Sequence, residues 1–63
     1  MDDYQSRVIA EREDLAGKAT RLAAFFDTPV YEALPQAEKD RMARQIRHMN
    51  DYKEVLDERI AAF

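Results

Sequence analysis

Arg41, Arg44, His48 and Tyr52 follow one another at steps of three and four residues. Residues so spaced share a side of an α-helix. Two guanidinium forks match the oxygens of a phosphate or carboxylate, and a tyrosine or histidine ring offers a face for stacking. Such a row could hold an anionic, nucleotide-type small molecule, with phosphate on arginine and base on the ring. Arg59 lies on the same flank, with Gln45 between that flank and the centre of the apolar stripe. A solvated helix edge with a half-packed Tyr52 would use the same residue types.

Arg12 and Lys53 raise a second question. A hairpin folded about residue 31 brings Arg12 to the Met49–Lys53 region, which sets two cations at the helix seam. Their stems could pack while their heads reach Glu11, Glu54 or Asp57, and polar seam residues can also fix register and oligomeric state. The sharper alternative adds Arg12 to the row, so the candidate ligand-binding set is Arg12, Arg41, Arg44, His48 and Tyr52.

The elements that must position these groups are two helices. Val8, Leu15 and Leu22 recur every seven residues, with Tyr4, Ala19 and Phe26 on the intervening turns. This periodicity predicts a helix over about 3–26. Thr28-Pro29 supplies an N-cap and a proline suited to a first helical position, which predicts a short helical turn within about 28–34. From Pro35 onward Met42, Ile46, Met49, Leu56, Ile60 and Phe63 mark a second helix over about 36–62. Glu38 and Asp40 suit its positive N-terminal end, and Leu34 its entry. The short connection makes the two helices antiparallel. The expectation is one all-α domain over 1–63, an antiparallel two-helix hairpin.

One hairpin has a single helix–helix contact, yet the apolar stripes are wider than that contact needs. Ile9, Ala16, Ala23, Phe25 and Val55 flank the seam. Burying them calls for a second copy, so the hairpin is expected to dimerise into a four-helix bundle or assemble further. Ala16, Thr20 and Ala23 share one face, where small side chains let another helix approach closely or could floor a ligand pocket. Gly17 costs a helix about 1 kcal/mol relative to alanine, a cost that such an approach would explain.

Composition narrows the function. A chain of 63 residues buries only about 60% of its unfolded surface. It has no cysteine to staple it, and one histidine makes no zinc site. Oligomerisation is the remaining remedy. A formal charge of −3 disfavours nonspecific nucleic-acid binding. The acidic Met-Asp-Asp-Tyr start and the lack of a long apolar run argue against a signal peptide or membrane span. No glycine-rich phosphate loop, metal cluster or nucleophile–base pair is present, so the expectation is a non-enzyme without catalytic residues, metal or cofactor. Charge is also uneven. Residues 15–48 carry six Lys/Arg against four acids, and the two terminal segments four against nine. The turn half is therefore net +2 and the open end −5, which suits self-association or a local anion pocket.

The run Asp3-Tyr4-Gln5-Ser6-Arg7-Val8-Ile9, followed by Glu11, Leu15, Leu22 and Phe26, resembles a family of short phage and prophage proteins named after a crAss-like phage member. So does the second half, through Leu34, Gln45, Met49, Tyr52, Leu56 and Arg59-Ile60. The resemblance spans nearly the whole chain, mostly through heptad positions. It implies a phage accessory protein in the cytoplasm of a bacterial host, and it brings no activity and no catalytic residue. By analogy with small phage proteins that bind host factors, the leading expectation is counter-defence by stoichiometric binding, as a sponge for a nucleotide-derived immune signal. One alternative is a protein–protein inhibitor that docks a helix face, or its acidic end, on a host protein. Another is a structural phage component without a ligand.

Overall fold

The computed structural model describes residues 3–63. Met1 and Asp2, which belong to the acidic start and to the 1–63 domain expected above, lie outside the described residues. Three helices follow in order: α1 (Asp3–Phe25), α2 (Pro29–Glu32) and α3 (Gln36–Ala61). The two long helices pack against each other as a hairpin measuring 46 × 15 × 13 Å.

Local chemistry explains the connection. The Thr28 hydroxyl accepts from the Tyr31 amide at 3.2 Å and donates to the Phe25 carbonyl at 2.7 Å. One side chain therefore ends α1 and caps α2, and Pro29 sits where its missing N–H costs nothing. The start of α3 has no side-chain cap; the Glu38 and Lys39 amides donate to the Pro35 carbonyl instead, at 3.0 and 3.1 Å.

Tyr31 anchors this end. Its ring meets Phe25 edge-on at 6.3 Å and Phe26 at 5.0 Å, and the Lys39 ammonium lies 5.3 Å from its centroid. α2 thus fills space beyond the end of α1, and the first turns of α3 run alongside it. The register shifts accordingly. Arg12 meets Asp57, a turn further along α3 than the Met49–Lys53 region expected from a fold about residue 31.

The core is small. Val8, Leu15, Ala19 and Leu56 are buried, Leu56 alone completely, with Met49 and Ile60 packed against them. Leu22, Phe26, Met42 and Ile46 are only half-buried. The surface of 4642 Å² exceeds the roughly 4,200 Å² of a compact monomer of this mass.

No other helix approaches Gly17. Within the hairpin, a Cβ built there would meet only the end of the Arg21 side chain, at 3.3 Å, so the chain itself supplies no close contact at this position. Gly17→Ala should therefore stabilise the hairpin by about 0.5–1 kcal/mol, through lower unfolded-state entropy and better helix propensity. A urea titration would show the gain as a higher midpoint at unchanged slope; an unchanged or lower midpoint would contradict it.

Candidate functional site

α3 offers two flanks to α1, and two pairs of side chains mark them. On one flank the Arg12 Nε donates to the Asp57 carboxylate at 2.7 Å, with a weaker link to Glu13 at 3.4 Å. The hydrogen bond to Asp57, then its charge, raises the Arg12 pKa above its ordinary value. On the other flank Arg59 donates to the Tyr4 hydroxyl at 2.9 Å and lies 5.6 Å from the centroid of that ring. This hydrogen bond likewise raises the Arg59 pKa. The Phe63 ring closes on Tyr4 at 6.0 Å. Positions 57 and 59 differ by about 200° at about 100° per residue, so Arg12 and Tyr4 grip opposite sides of α3.

That division sorts the candidate residues. Arg41, His48 and Tyr52 fall within about 20° of Arg59 on the helix wheel, and Arg44 about 60° further round. Arg12 faces the other flank. Within one chain the structure gathers Arg41, Arg44, His48 and Tyr52 along α3 and keeps Arg12 apart from them. All four row residues are exposed. Arg41 holds Glu38 at 2.8 Å, one helical turn away. Arg44, His48 and Tyr52 make no hydrogen bond, ion pair or ring contact among the described residues. About 12 Å of helix axis separates Arg44 from Tyr52. A ring laid on Tyr52 thus leaves phosphates within reach of His48 and Arg44.

The flanking apolar positions divide in the same way. Ile9 and Ala16 are half-buried and Ala23 is exposed, all on the Arg12 side. Val55 is 50% exposed on the Tyr52 side. Phe25 is half-buried, with its ring against Tyr31.

The Arg12 flank also carries an open groove of about 220 Å³. Ala16, Ala23 and Ile46 line it together with the polar Thr20, Asn50 and Lys53. The Thr20 hydroxyl donates back to the Ala16 carbonyl at 2.9 Å. Sequence reasoning identified the shared face of Ala16, Thr20 and Ala23 and singled out Lys53, but it missed Asn50. The signal was available: Asn50 stands four residues from Ile46 and three from Lys53. Among the described residues no group of His, Cys, Asp or Glu could hold a metal ion, and no helix is long and apolar enough to cross a membrane.

Comparison with known proteins gives one family. The model of the family described as Sequestin matches residues 2–62, and the match carries no phage name. No curated protein and no solved structure matches the chain.

Proposed function

The chain belongs to the Sequestin family, and from that membership we propose that it acts by stoichiometric binding, sequestering an anionic nucleotide-type molecule. The family name points to sequestration as the mode of action. The exposed row on α3 points to the class of ligand. This row carries the reading: cations and a stacking ring stand in line on a helix whose core contacts lie elsewhere. Arg44, His48 and Tyr52 have no hydrogen bond, ion pair or ring contact among the described residues to give up on meeting a ligand, and Arg41 has only its exposed pair with Glu38.

The reading places the protein as a phage accessory factor in the cytoplasm of a bacterial host, where it removes a nucleotide-derived immune signal without turning it over. It needs no cofactor, metal or catalytic residue. Copies of the chain assemble, and one copy's Arg12 reaches a ligand on the row only from another protomer. Native mass spectrometry of protein purified from cells with an active defence system should show a bound small anion. A panel of cyclic nucleotides and ADP-ribose should contain a molecule that raises Tm. A ligand at about a hundred times its Kd contributes about 2.7 kcal/mol, a shift of many degrees for a domain this small. Bare protein together with an unmoved Tm across the panel would sink the reading.

The acidic end supports a second reading. Asp51, Glu54 and Glu58 are exposed and form no ion pair among the described residues, whereas Asp57 is engaged by Arg12. Such a surface could occupy a basic patch on a host protein. Charge reversal at Glu54 and Glu58 that abolished activity, with the α3 row intact, would favour it.

A further inference from the structure

Among the described residues five large hydrophobic side chains stand exposed. Val30 lies at the turn. The other four, Tyr4, Tyr52, Val55 and Phe63, gather toward the open end of the hairpin, each at least 44% exposed. Tyr52, Val55, Arg59 and Phe63 follow at steps of three and four residues. The Arg59 guanidinium lies 5.6 Å from the centre of the Tyr4 ring, and the Phe63 ring meets Tyr4 at 6.0 Å. The side chains therefore form one stripe, about 16 Å long from Tyr52 to Phe63 at 1.5 Å per residue. A contiguous apolar patch on a surface marks a place where another molecule sits.

Three properties select the occupant. The first is charge. Glu11 on α1 and Asp51, Glu54 and Glu58 on α3 are exposed and form no ion pair among the described residues. Asp51 and Glu58 lie about 40–60° beyond Val55 on the helix wheel. Glu11 borders the stripe from the α1 side, near enough for its charge to act on Arg59. Arg59 itself is engaged by the Tyr4 hydroxyl at 2.9 Å. The open end is net −5, so it attracts a cationic partner and repels an anionic membrane surface. A second copy related by a two-fold through the stripe would set two such ends side by side, which the same charge disfavours.

The second property is the backbone. The described residues form helices and no strand, so no sheet edge is open for an extended peptide to join. A partner on this surface must satisfy its own N–H and C=O groups, as a helix does. The third is length. Apolar residues at i, i+3, i+7 and i+11 of one helix face span about 16 Å, the length of the stripe.

We propose that the stripe of Tyr4, Val55 and Phe63 is a docking site for one basic amphipathic helix of another protein. The apolar face of that helix covers Val55, Phe63 and the Tyr4 ring. Its lysines or arginines reach Asp51 and Glu58 on one side of the stripe and Glu11 on the other. The proposal rests on the second reading above, capture of a basic partner, and gives that partner its form; it is independent of nucleotide capture.

The test follows the fluorescence anisotropy of a labelled synthetic peptide as the intact chain is added. The peptide is a helix of about 18 residues with leucine along one face and lysine elsewhere, and a scrambled peptide of the same composition is the control. The amphipathic peptide should bind at least about tenfold tighter than the scrambled one. Val55→Glu should weaken it by at least about tenfold, although the added acid would tighten a purely electrostatic capture. Phe63→Ala, at a position past the end of α3, should weaken it severalfold, and Val30→Ala should bind as the wild type does. Amide resonances of Val55, Arg59 and Phe63 should shift on binding while those of Thr20 and Asn50 stay in place. Equal binding of the scrambled peptide would overturn the docking site and leave the second reading standing, since an acidic end would still take a basic patch. An amphipathic peptide that fails to bind, or binds Val55→Glu as tightly as the wild type, would also overturn it. So would a Val55→Glu variant of lower mass in solution than the wild type, because a second copy would then cover the stripe. Charge reversal at Glu54 and Glu58 tests the second reading separately, through activity.

Discussion

Leu56→Ala should lower the melting temperature by about 10 °C or more. Leu56 has no exposed surface, and it is the only described side chain of which that is true. It packs with Val8 and Leu15 from α1, and Met49 and Ile60 lie against the same cluster. Truncating a buried leucine to alanine removes about 2–5 kcal/mol, part from lost transfer energy and part from the cavity left behind. A chain of 63 residues has roughly 3–9 kcal/mol of stability in total, from about 0.05–0.15 kcal/mol per residue. The substitution therefore removes a large share of it. Circular dichroism at 222 nm, followed through a thermal melt, would show the loss. Val55→Ala is the control: the neighbouring residue is 50% exposed, and its truncation should change stability by no more than about 0.5 kcal/mol. A Leu56→Ala melt within a degree or two of the wild type would mean that the cluster is not the core.

Tyr52→Ala should have the opposite signature, with stability kept and capture lost. Tyr52 is 44% exposed and touches none of the aromatic partners found elsewhere in the hairpin. Removing a ring on which a base stacks costs about 1–3 kcal/mol. Binding of ADP-ribose, used as the probe, should therefore weaken about 5- to 150-fold. Tm without ligand should stay where it is. Calorimetric titration separates the cases, and added salt should weaken binding by screening Arg41 and Arg44. Wild-type affinity in Tyr52→Ala would show that the row is a wet helix edge.

The hairpin itself was legible in the sequence because its signals are local. Val8 and Leu15 keep a seven-residue step, Thr28-Pro29 marks the break, and the three- and four-residue steps through Met49, Leu56 and Ile60 set the facing stripe. The register was not legible. Counting residues across the connection treats it as a plain turn, whereas Tyr31 stacks on Phe25 and Phe26 and carries α3 past the end of α1. That packing depends on three rings meeting in space, which no periodicity encodes. The choice among partners for Arg12 was equally hidden. Glu11, Glu54 and Asp57 all stood within reach on paper, and the shifted register selected Asp57. Arg12 and Tyr52 fall on opposite flanks through the helical phase of each about the seam, which a shift of one turn leaves unchanged. The helix wheel of α3 alone sets Arg41, His48 and Tyr52 on one flank, but it could not say which side of that helix Arg12 would meet.

The stacked turn at Tyr31 has a consequence for how the chain can vary in length. Adding or deleting a residue inside a helix turns everything downstream by about 100° and advances it by about 1.5 Å. Among the described residues, α2 and its flanks form the stretch that can absorb such a change before it reaches α3, yet Tyr31 and Lys39 tie that stretch to both long helices. Variation in length should therefore come in steps that restore the phase of α3, three or four residues for one turn or seven for two. A single-residue deletion between the rings of Phe26 and Tyr31 would swing Leu56 away from Val8 and point the Tyr52 row in a new direction. The spacing of the connection thus works as a phase lock between the apolar seam and the two faces it keeps apart.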